Sequence, residues 1–389
     1  MNSMQKHIHY LAVTIGPRGS ASKNEAKSAT YIQEKLSNLG YAVTLDPFST
    51  INSFSPVQLI LIGGFVLSSS LFLIQPIIAG IVAIVFLSLY MLDINTRFSI
   101  AHFLPKKQSQ NVRAQLPASL NTNGTIRTKV VIMAHYDSSK AGLNFHPRLV
   151  AGFRNSFLLI VTSMVMITLC TVLGAIAMWQ GRTTMPFFYA LTPFAIYLFV
   201  VTVMLIHREL FGNVTPGAND NASGVSVLLG VAKELIPNPP QHIDIEFLAT
   251  GAEEAGMFGS LNYIKNYGIV NTLFINLDNL GTGDLFITTS DGALRKFSVD
   301  PKLLAITQEC IYTAPTLPVA CHGYHLLATD ATPILARGGQ AISIMAQDKQ
   351  GLLPNWHWNT DTVEHISSSN LNTAKQLVLR MIKSLDRPT

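Results

Sequence analysis

The chain has 389 residues, of which 48% are hydrophobic and 13% charged, and its formal net charge is +5. With a mean hydropathy of +0.32, that composition is unusual for a soluble globular protein. The three cysteines do not make a disulfide framework, and no basic block with interleaved aromatic residues indicates nucleic-acid binding.

The first predicted element is a helix over residues 22–40, "SKNEAKSATYIQEKLSNLG", followed by the strand "YAVTL". The apolar residues that recur near the helical period are Ala26, Ala29, Ile32 and Leu36. This spacing predicts one apolar helix face, and Gly40 supplies a C-terminal stop. The stretch before the helix lacks an apolar run of adequate length, so we expect no secretory signal peptide.

Three long apolar runs without formal charge interrupt the chain: Val57–Leu92, Phe157–Trp179 and Pro186–Ile206. Since about 20 apolar residues span a bilayer as a helix, each of the last two fits one crossing, and the short link "QGRTT" makes them a hairpin. The first run is too long for one crossing and fits two short ones, Val57–Ile74 and Ile77–Leu92, with "QP" at the turn. Buried core helices are the alternative for all of these runs, and a re-entrant hairpin is a further alternative for the first.

The remaining predicted elements alternate between strand and helix. In chain order they are the strands "NVRAQL" and "KVVIMA", the helix "GVSVLLGVAKEL", the strand "IDIEFLA", the helix "GSLNYIKNY", the strands "TLFINL" and "QAISIMA", and the helix "NLNTAKQLVLRMIKSL". Such alternation predicts an α/β fold with a mostly parallel or mixed central sheet flanked by helices. Because the apolar runs interrupt this sheet, each insertion must cross a membrane an even number of times, as a hairpin does.

These assignments predict one α/β domain made of three chain segments, with two transmembrane helical hairpins inserted into it. The domain segments are residues 1–56, 93–156 and 207–389, and the hairpins are residues 57–92 and 157–206. The basic residues that flank the hairpins on the domain side are Arg97, Lys106, Lys107, Lys140, Arg148, Arg154 and Arg208, whereas Arg182 alone lies in the far loop. The positive-inside rule therefore predicts a multi-pass integral membrane protein whose α/β domain is cytoplasmic.

Acidic and imidazole side chains follow the predicted strands or open a predicted helix. In chain order they are His135, Asp137, Asp220, Glu253, Glu254, Asp278 and His357. Ligands gather outside the carboxyl ends of strands in open α/β sheets, so we expect these side chains to meet. Adjacent buried carboxylates need a strongly positive partner, and histidine together with carboxylate suits zinc. The surplus of carboxylates fits two metals that share one of them.

Each of these residues by itself also fits an ordinary structural role. Asp137 suits a turn, Asp220 a helix N-cap and Asp278 a loop cap, and a single histidine is commonly a hydrogen-bonded core or surface residue. The joint pattern favours a metal site, because every carboxylate follows a buried strand or opens a helix. One glutamate of the adjacent pair would then bind metal, while its neighbour would hold the proton of a metal-bound water.

Five ordered segments, "HYDS", "GANDNASG", "EEAGMFGS", "NLDNLG" and "WHWNTDT", resemble the signature segments of the co-catalytic di-zinc aminopeptidases. That family includes aminopeptidase Y, bacterial leucyl aminopeptidases and the glutamate carboxypeptidase relatives. The lead segment "GPRGSASKNEAKSATYIQEKL" matches as well. The resemblance therefore covers nearly all of the chain outside the apolar runs, which are not part of the family pattern.

The resemblance implies two Zn²⁺ ions per chain, with Asp220 bridging them. His135 and Asp278 would complete one zinc site, and Glu254 and His357 would complete the other. All five of these donors are present in the sequence.

The same resemblance implies that Glu253 is the general base and that Asp137 orients His135 through its ring N–H. A water between the metals would give its proton to Glu253 and attack the zinc-polarised peptide carbonyl, and the proton would pass to the leaving amine. Tyr324 is a candidate donor to the developing oxyanion. The family often has Ser-Asp-His before its last strand, whereas this sequence has "TDA", with Ala331 where the histidine would stand. That departure concerns local substrate contacts and not the metals.

The implied protein is a membrane-integrated, zinc-dependent exopeptidase, namely an aminopeptidase that acts on peptide substrates beside a lipid bilayer. The alternatives are a carboxypeptidase, a glutaminyl-cyclase-like enzyme that would hold one zinc, and a non-catalytic membrane receptor that would keep the fold and lose ligands. Glycosylation sequons occur at Asn123, Asn213 and Asn221. We interpret all three as chance, because modification of Asn221 would block the site beside Asp220.

Overall fold

The computed structural model describes residues 1–120, 127–314 and 316–387, so the sequon at Asn123 lies outside the described residues. The helices are α1 (Ser3–His9), α2 (Lys23–Asn38), α3 (Ser55–Leu71), α4 (Pro76–Ile94), α5 (Phe153–Trp179), α6 (Met185–Phe211), α7 (Gly224–Leu235), α8 (Phe258–Tyr267), α9 (Pro301–Tyr312), α10 (Thr332–Leu335) and α11 (Ser368–Leu385). The strands are β1 (Ala42–Thr50), β2 (Lys107–Leu116), β3 (Lys129–His135), β4 (Asp244–Thr250), β5 (Thr272–Leu277), β6 (Asp284–Thr288), β7 (Ser290–Asp291), β8 (Phe297–Ser298), β9 (Val319–His322) and β10 (Gln340–Gln347).

Contacts between residues divide the chain into two compact units. The α/β unit comprises Met1–Ser53, Pro105–Ala141 and Asn213–Thr389, and the helical unit comprises Phe54–Leu104 and Gly142–Gly212.

The α/β unit is built on a mixed sheet with the strand order β1-β2-β4-β3-β5-β10-β6-β9. Strands β4, β3, β5 and β10 run parallel to one another at its centre. Strands β1 and β2 form an antiparallel pair at one side, and β6 runs antiparallel to β10 on the other. The predicted α/β fold with a mixed central sheet flanked by helices is confirmed.

The central strands are buried on both faces because helices cover both. Along β3, Val130, Ile132 and Ala134 contribute to one apolar cluster, and the alternate residues Val131 and Met133 contribute to the other. This two-residue alternation is what a strand geometry dictates. A strand covered on both sides needs apolar residues at successive positions, which explains the unbroken apolar run "VVIMA".

Several helices and strands lie where the sequence pattern predicts them, and others were not predicted. Helix α7 and strand β5 span the predicted residues, and β4 and α11 differ from prediction by one or two residues at their ends, which is the ordinary scatter of element boundaries. The predicted set lacks α1, α9, α10, β6, β7, β8 and β9. Strand β9 has four residues, all partly or fully exposed, at the edge of the sheet, so it carries no apolar periodicity.

The helical unit consists mainly of α3 to α6. Three of its helical spans are long and apolar enough to cross a membrane, namely Pro76–Ile94, Val150–Trp179 and Met185–Phe211, whereas Ser55–Leu71 is a shorter apolar helix. In the most apolar stretch of each of the three spans, 22%, 44% and 11% of residues are buried. A helix that is apolar all round lies either in the core of a large protein or across a membrane.

Small residues allow close packing between the helices of this unit. A Cβ placed on Gly64 of α3 would lie 2.3 Å from the ring of Phe86 in α4, and one on Gly174 of α5 would lie 2.2 Å from Phe72. The Ser68 hydroxyl donates to the carbonyl of Ala79 at 2.8 Å. Small residues and hydroxyl-to-carbonyl bonds at helix contacts are typical of helix pairs in lipid, where burial alone does not drive association.

Candidate metal centre

Four parallel strands bring the predicted site residues to one edge of the sheet. His135 ends β3, the pair Glu253 and Glu254 follows β4, Asp278 follows β5, and His357 lies in the loop after β10. Because the carboxyl ends of parallel strands share an edge, residues distant in sequence meet there. Asp220 and Asp137 lie in loops at the same edge, within reach of His135.

Asp220 occupies the centre of the cluster and is 4% exposed. Its Oδ1 lies 3.2 Å from Nε2 of His135, and its Oδ2 lies 3.3 Å from Nε2 of His357. One carboxylate thus divides its two oxygens between two histidines, which is the arrangement that a bridging ligand requires.

Two further carboxylates complete the groups around these histidines. Asp278 Oδ1 lies 3.6 Å from Nε2 of His135, and Glu254 Oε2 lies 3.1 Å from Nε2 of His357. One ligand atom from each of His135, Asp220 and Glu254 lies within 4.8 Å of the others. The five donors predicted from the sequence therefore lie close together, with Asp220 between the two histidines.

The chemistry of this cluster fits a metal cation. The Oε1 atom of Glu254 is buried and has no hydrogen-bond partner among the described residues, although burying such an atom unpaired is costly. Burial raises the pKa of Glu254, and the facing His357 offsets only part of that rise. Burial alone would lower the pKa of His357, but Glu254 and Asp220 outweigh it and raise this pKa to about 9. Imidazole nitrogen and carboxylate oxygen are the donors that zinc prefers.

Glu253 differs from its neighbour Glu254 in what it faces. Its Oε2 lies 4.0 Å from Nε2 of His135, farther than the oxygens of Asp220 and Asp278. Burial raises the pKa of Glu253 well above its usual range, and the charge of His135 offsets only part of this effect. A carboxylate beside the donors that holds a proton readily suits a general base.

Asp137 contacts His135 and also the main chain of the adjacent glutamates Glu253 and Glu254. Its Oδ1 lies 3.5 Å from Nδ1 of His135 and accepts the Glu253 N–H at 3.1 Å. Its Oδ2 accepts the Glu254 N–H at 3.1 Å and the Ser20 hydroxyl at 2.6 Å. The family resemblance implies the contact of the Asp137 side chain with His135, whereas the two main-chain contacts depend on the folded loop.

The backbone is left-handed at three positions beside the donors. Ala252, which precedes Glu253, has φ 51°, Asn279, which follows Asp278, has φ 52°, and His357 itself has φ 47°. Non-glycine residues adopt this conformation at a cost and are commonly found at functional sites.

Asp330 and Tyr324 lie near the donors, in segments that the sequence indicated for roles other than metal binding. Asp330 is fully buried and accepts the Thr250 hydroxyl at 2.5 Å, and burial raises its pKa to about 7. Its neighbour Ala331, the position of the family histidine, packs in the apolar cluster that contains Met133. Tyr324 is 3% exposed, and burial and then the charge of Asp278 raise the pKa of its phenol. No spacing rule could have identified Asp330.

Part of the chain matches a known protein family. Residues 203–382 match the model of Peptidase family M28. Aminopeptidase YwaD of Bacillus subtilis (strain 168) is 29% identical over 186 residues, which are 42% of this chain and 36% of that protein. The probable lipoprotein aminopeptidase LpqL of Mycobacterium tuberculosis (strain ATCC 25618 / H37Rv) is 37% identical over 81 residues, which are 20% of this chain and 16% of that protein. The aligned part thus spans about a third or less of these curated relatives.

Solved structures share the fold over nearly the whole chain. BSAP, a zinc aminopeptidase from Bacillus subtilis, has a TM-score of 0.56 at 16% identity and covers 98% of this chain and 93% of that one. Porphyromonas gingivalis glutaminyl cyclase has a TM-score of 0.58 at 14% identity and covers 98% and 96%. At these identities the similarity establishes the fold and does not separate one activity from the other.

Proposed function

We propose that the protein is a membrane-integrated zinc exopeptidase. The proposal starts from the Peptidase family M28 domain that the chain carries, as the resemblance to the co-catalytic zinc aminopeptidases predicts. The protein acts as an aminopeptidase that hydrolyses the N-terminal residues of peptides. The observation that carries the proposal is the position of Asp220, whose two oxygens face His135 and His357 at 3.2 and 3.3 Å.

The donor set would hold two Zn²⁺ ions. His135 and Asp278 would hold one, Glu254 and His357 would hold the other, and Asp220 would be shared between them. The family implies zinc, and the division of donors into two sets supports the number two. Zinc bound there supplies Lewis acidity, which polarises a carbonyl and lowers the pKa of water.

Glu253 handles the proton of the hydrolytic reaction. Its carboxylate accepts the proton of the attacking water and passes it to the amine that leaves, so that atoms and charge balance over the cycle. Asp137 supports this role because it holds the main-chain N–H of Glu253 at 3.1 Å.

Tyr324 donates from its hydroxyl to the oxyanion that develops on the substrate carbonyl. Burial and the charge of Asp278 raise the pKa of Tyr324 well above the ordinary value. Its phenol therefore keeps the proton that it must donate at neutral pH.

Helices α3 to α6 form two membrane hairpins, within residues 57–92 and 157–206. The three longer spans satisfy the length that a crossing needs, and α3 with its 17 residues lies at the short end of the range. Large apolar side chains of these helices face outward, among them Leu67 at 51%, Ile81 at 57% and Phe199 at 55% exposure. The α/β unit then lies on the cytoplasmic side, as the basic residues near the hairpin ends indicate.

The activity is tested with full-length protein purified in detergent, stripped of metal and reloaded with zinc. We expect cleavage of aminoacyl substrates that depends on zinc, and a stoichiometry of two zinc ions per chain. The variant Glu253→Gln keeps the zinc and loses the activity, whereas the surface control Glu234→Gln, which weakens an exposed pair with Lys375, keeps both.

Two outcomes would overturn the proposal. Zinc-loaded protein that cleaves no aminoacyl substrate and instead cyclises peptides with N-terminal glutamine would assign the cyclase activity. A Glu253→Gln variant with wild-type turnover would remove the general base from the mechanism.

A further inference from the structure

The lead segment "GPRGSASKNE" contains no proposed zinc donor, yet its Arg18 is fully buried in the α/β unit. Among the residues that the structure describes, its guanidinium donates to main-chain carbonyls. Its Nε donates to Tyr136 at 2.7 Å, and its Nη1 donates to Pro216 at 2.6 Å and to Leu11 at 3.3 Å. Its Nη2 donates to Gly217 at 2.7 Å.

Asp361 makes the complementary contacts on the same loop. Its Oδ1 accepts the N–H of Asn219 at 2.6 Å, and its Oδ2 accepts the N–H of Asp220 at 3.0 Å. Its main-chain carbonyl accepts the N–H of Ala218 at 3.3 Å. Asp361 is 2% exposed, so these bonds are not shared with solvent.

Together, the two residues hold a continuous run of main-chain groups that ends at the bridging carboxylate. Arg18 donates hydrogen bonds to the carbonyls of Pro216 and Gly217, and Asp361 accepts hydrogen bonds from the next three N–H groups, including that of Asp220. Gly217 permits this approach, because a Cβ there would lie 2.9 Å from Nη2 of Arg18 and because its φ is +65°. Two buried side chains thus fix the loop, one through its carbonyl groups and the other through its N–H groups.

We propose that Arg18 and Asp361 form a clamp of two positioning residues that fixes the orientation of Asp220, and that loss of either residue weakens zinc binding. The inference rests on the proposed zinc centre. A bridging carboxylate must direct both of its oxygens, so a small rotation of the main chain at Asp220 misdirects both at once. The planar guanidinium fork is suited to several fixed carbonyls, whereas a lysine ammonium is a single point charge.

The competing explanation is that Arg18 only stabilises the fold, since breaking contacts of a buried charge is destabilising in general. Arg113 provides a matched control. It is 9% exposed and pairs with Asp46 and Glu246, which are not proposed zinc donors. If Arg18 acts only through stability, Arg18→Lys and Arg113→Lys will have similar effects on zinc binding by folded protein.

The test uses full-length protein in detergent, with zinc affinity measured by competition against a chromophoric chelator and folding checked by circular dichroism. We expect Arg18→Lys and Asp361→Asn each to lower zinc affinity by about 10–100-fold, the usual effect of losing a residue that supports a metal ligand, with Arg113→Lys within about twofold of wild type. Because both residues act on one loop, the double variant should lose little more than the weaker-binding single variant.

The clamp would be overturned if folded Arg18→Lys and Asp361→Asn both bound zinc with wild-type affinity. If the fold-losses in zinc affinity of the two single variants multiplied in the double variant, the two residues would act independently, and the proposal that they form one clamp would be overturned. If Arg18→Lys does not fold, Asp361→Asn decides alone, because it keeps the size of the side chain. Protein that binds zinc with this pattern but cleaves no peptide would support the clamp and refute the peptidase proposal. Wild-type protein that binds no zinc would refute both.

Discussion

The role of Asp137 can be tested by exchanging it for asparagine, which keeps its shape and removes one acceptor. The carboxylate accepts the main-chain N–H of both Glu253 and Glu254, each at 3.1 Å, and the Ser20 hydroxyl at 2.6 Å. A hydroxyl can reverse its role and accept, but a main-chain N–H cannot. Whichever way the new amide turns, one glutamate N–H therefore faces a donor.

The size of the effect follows from these contacts. Leaving one buried N–H unsatisfied costs about 1–3 kcal/mol, whereas Ser20→Ala removes a single hydroxyl bond worth about 0.5–1.5 kcal/mol. We expect Asp137→Asn to be less stable than Ser20→Ala and to lose about 10–100-fold in kcat, because the base and a zinc donor both shift.

The assay pairs urea unfolding of the metal-free proteins with steady-state kinetics of the zinc-loaded proteins. Measuring stability without metal separates the loss of the loop contacts from any change in zinc affinity. Asp137→Asn that unfolds at the same urea concentration as Ser20→Ala, with wild-type kcat, would refute the reasoning about the glutamate loop.

Three further predictions concern other parts of the chain. Burial, and then Lys35 and Lys233, lower the pKa of His7 to about 4. The unfolded chain therefore takes up this proton first, and the free energy of unfolding falls as the pH decreases from about 6.5 to 4. By pH 4.5 the wild-type protein should lose at most ~2.5 kcal/mol of this free energy relative to His7→Gln, and parallel pH profiles of the two proteins would refute this. In the helical unit, Gly64→Ala should lower the thermal midpoint because its Cβ would strike Phe86, whereas a Cβ on the adjacent Gly63 meets nothing within 4 Å; equal midpoints would contradict that packing. A membrane-impermeant thiol reagent should label Arg182→Cys in intact cells and label the exposed Cys321 only after lysis, and labelling of both in intact cells would refute the proposed sidedness.

Local patterns in the sequence determined much of the architecture. The positions of α7 and β5 could be predicted because apolar periodicity depends on neighbours a few residues apart. The four apolar helices could be predicted from run length and missing charge. The candidate donors could be proposed because each follows a strand or opens a helix, because parallel strands end at one edge of the sheet, and because the motifs resemble a known family.

Tertiary structure alone decided how those donors are held. Arg18 bonds to carbonyls of Tyr136, Pro216 and Gly217, and every residue has a carbonyl, so these partners leave no mark in the sequence. Asp361 likewise accepts main-chain N–H groups far from it along the chain, and the short edge strand β9 depends on its neighbour β6 rather than on its own composition. The chemistry of a side chain can be read from the sequence at its own position, whereas its contacts to the main chain of distant loops form only when the protein is folded.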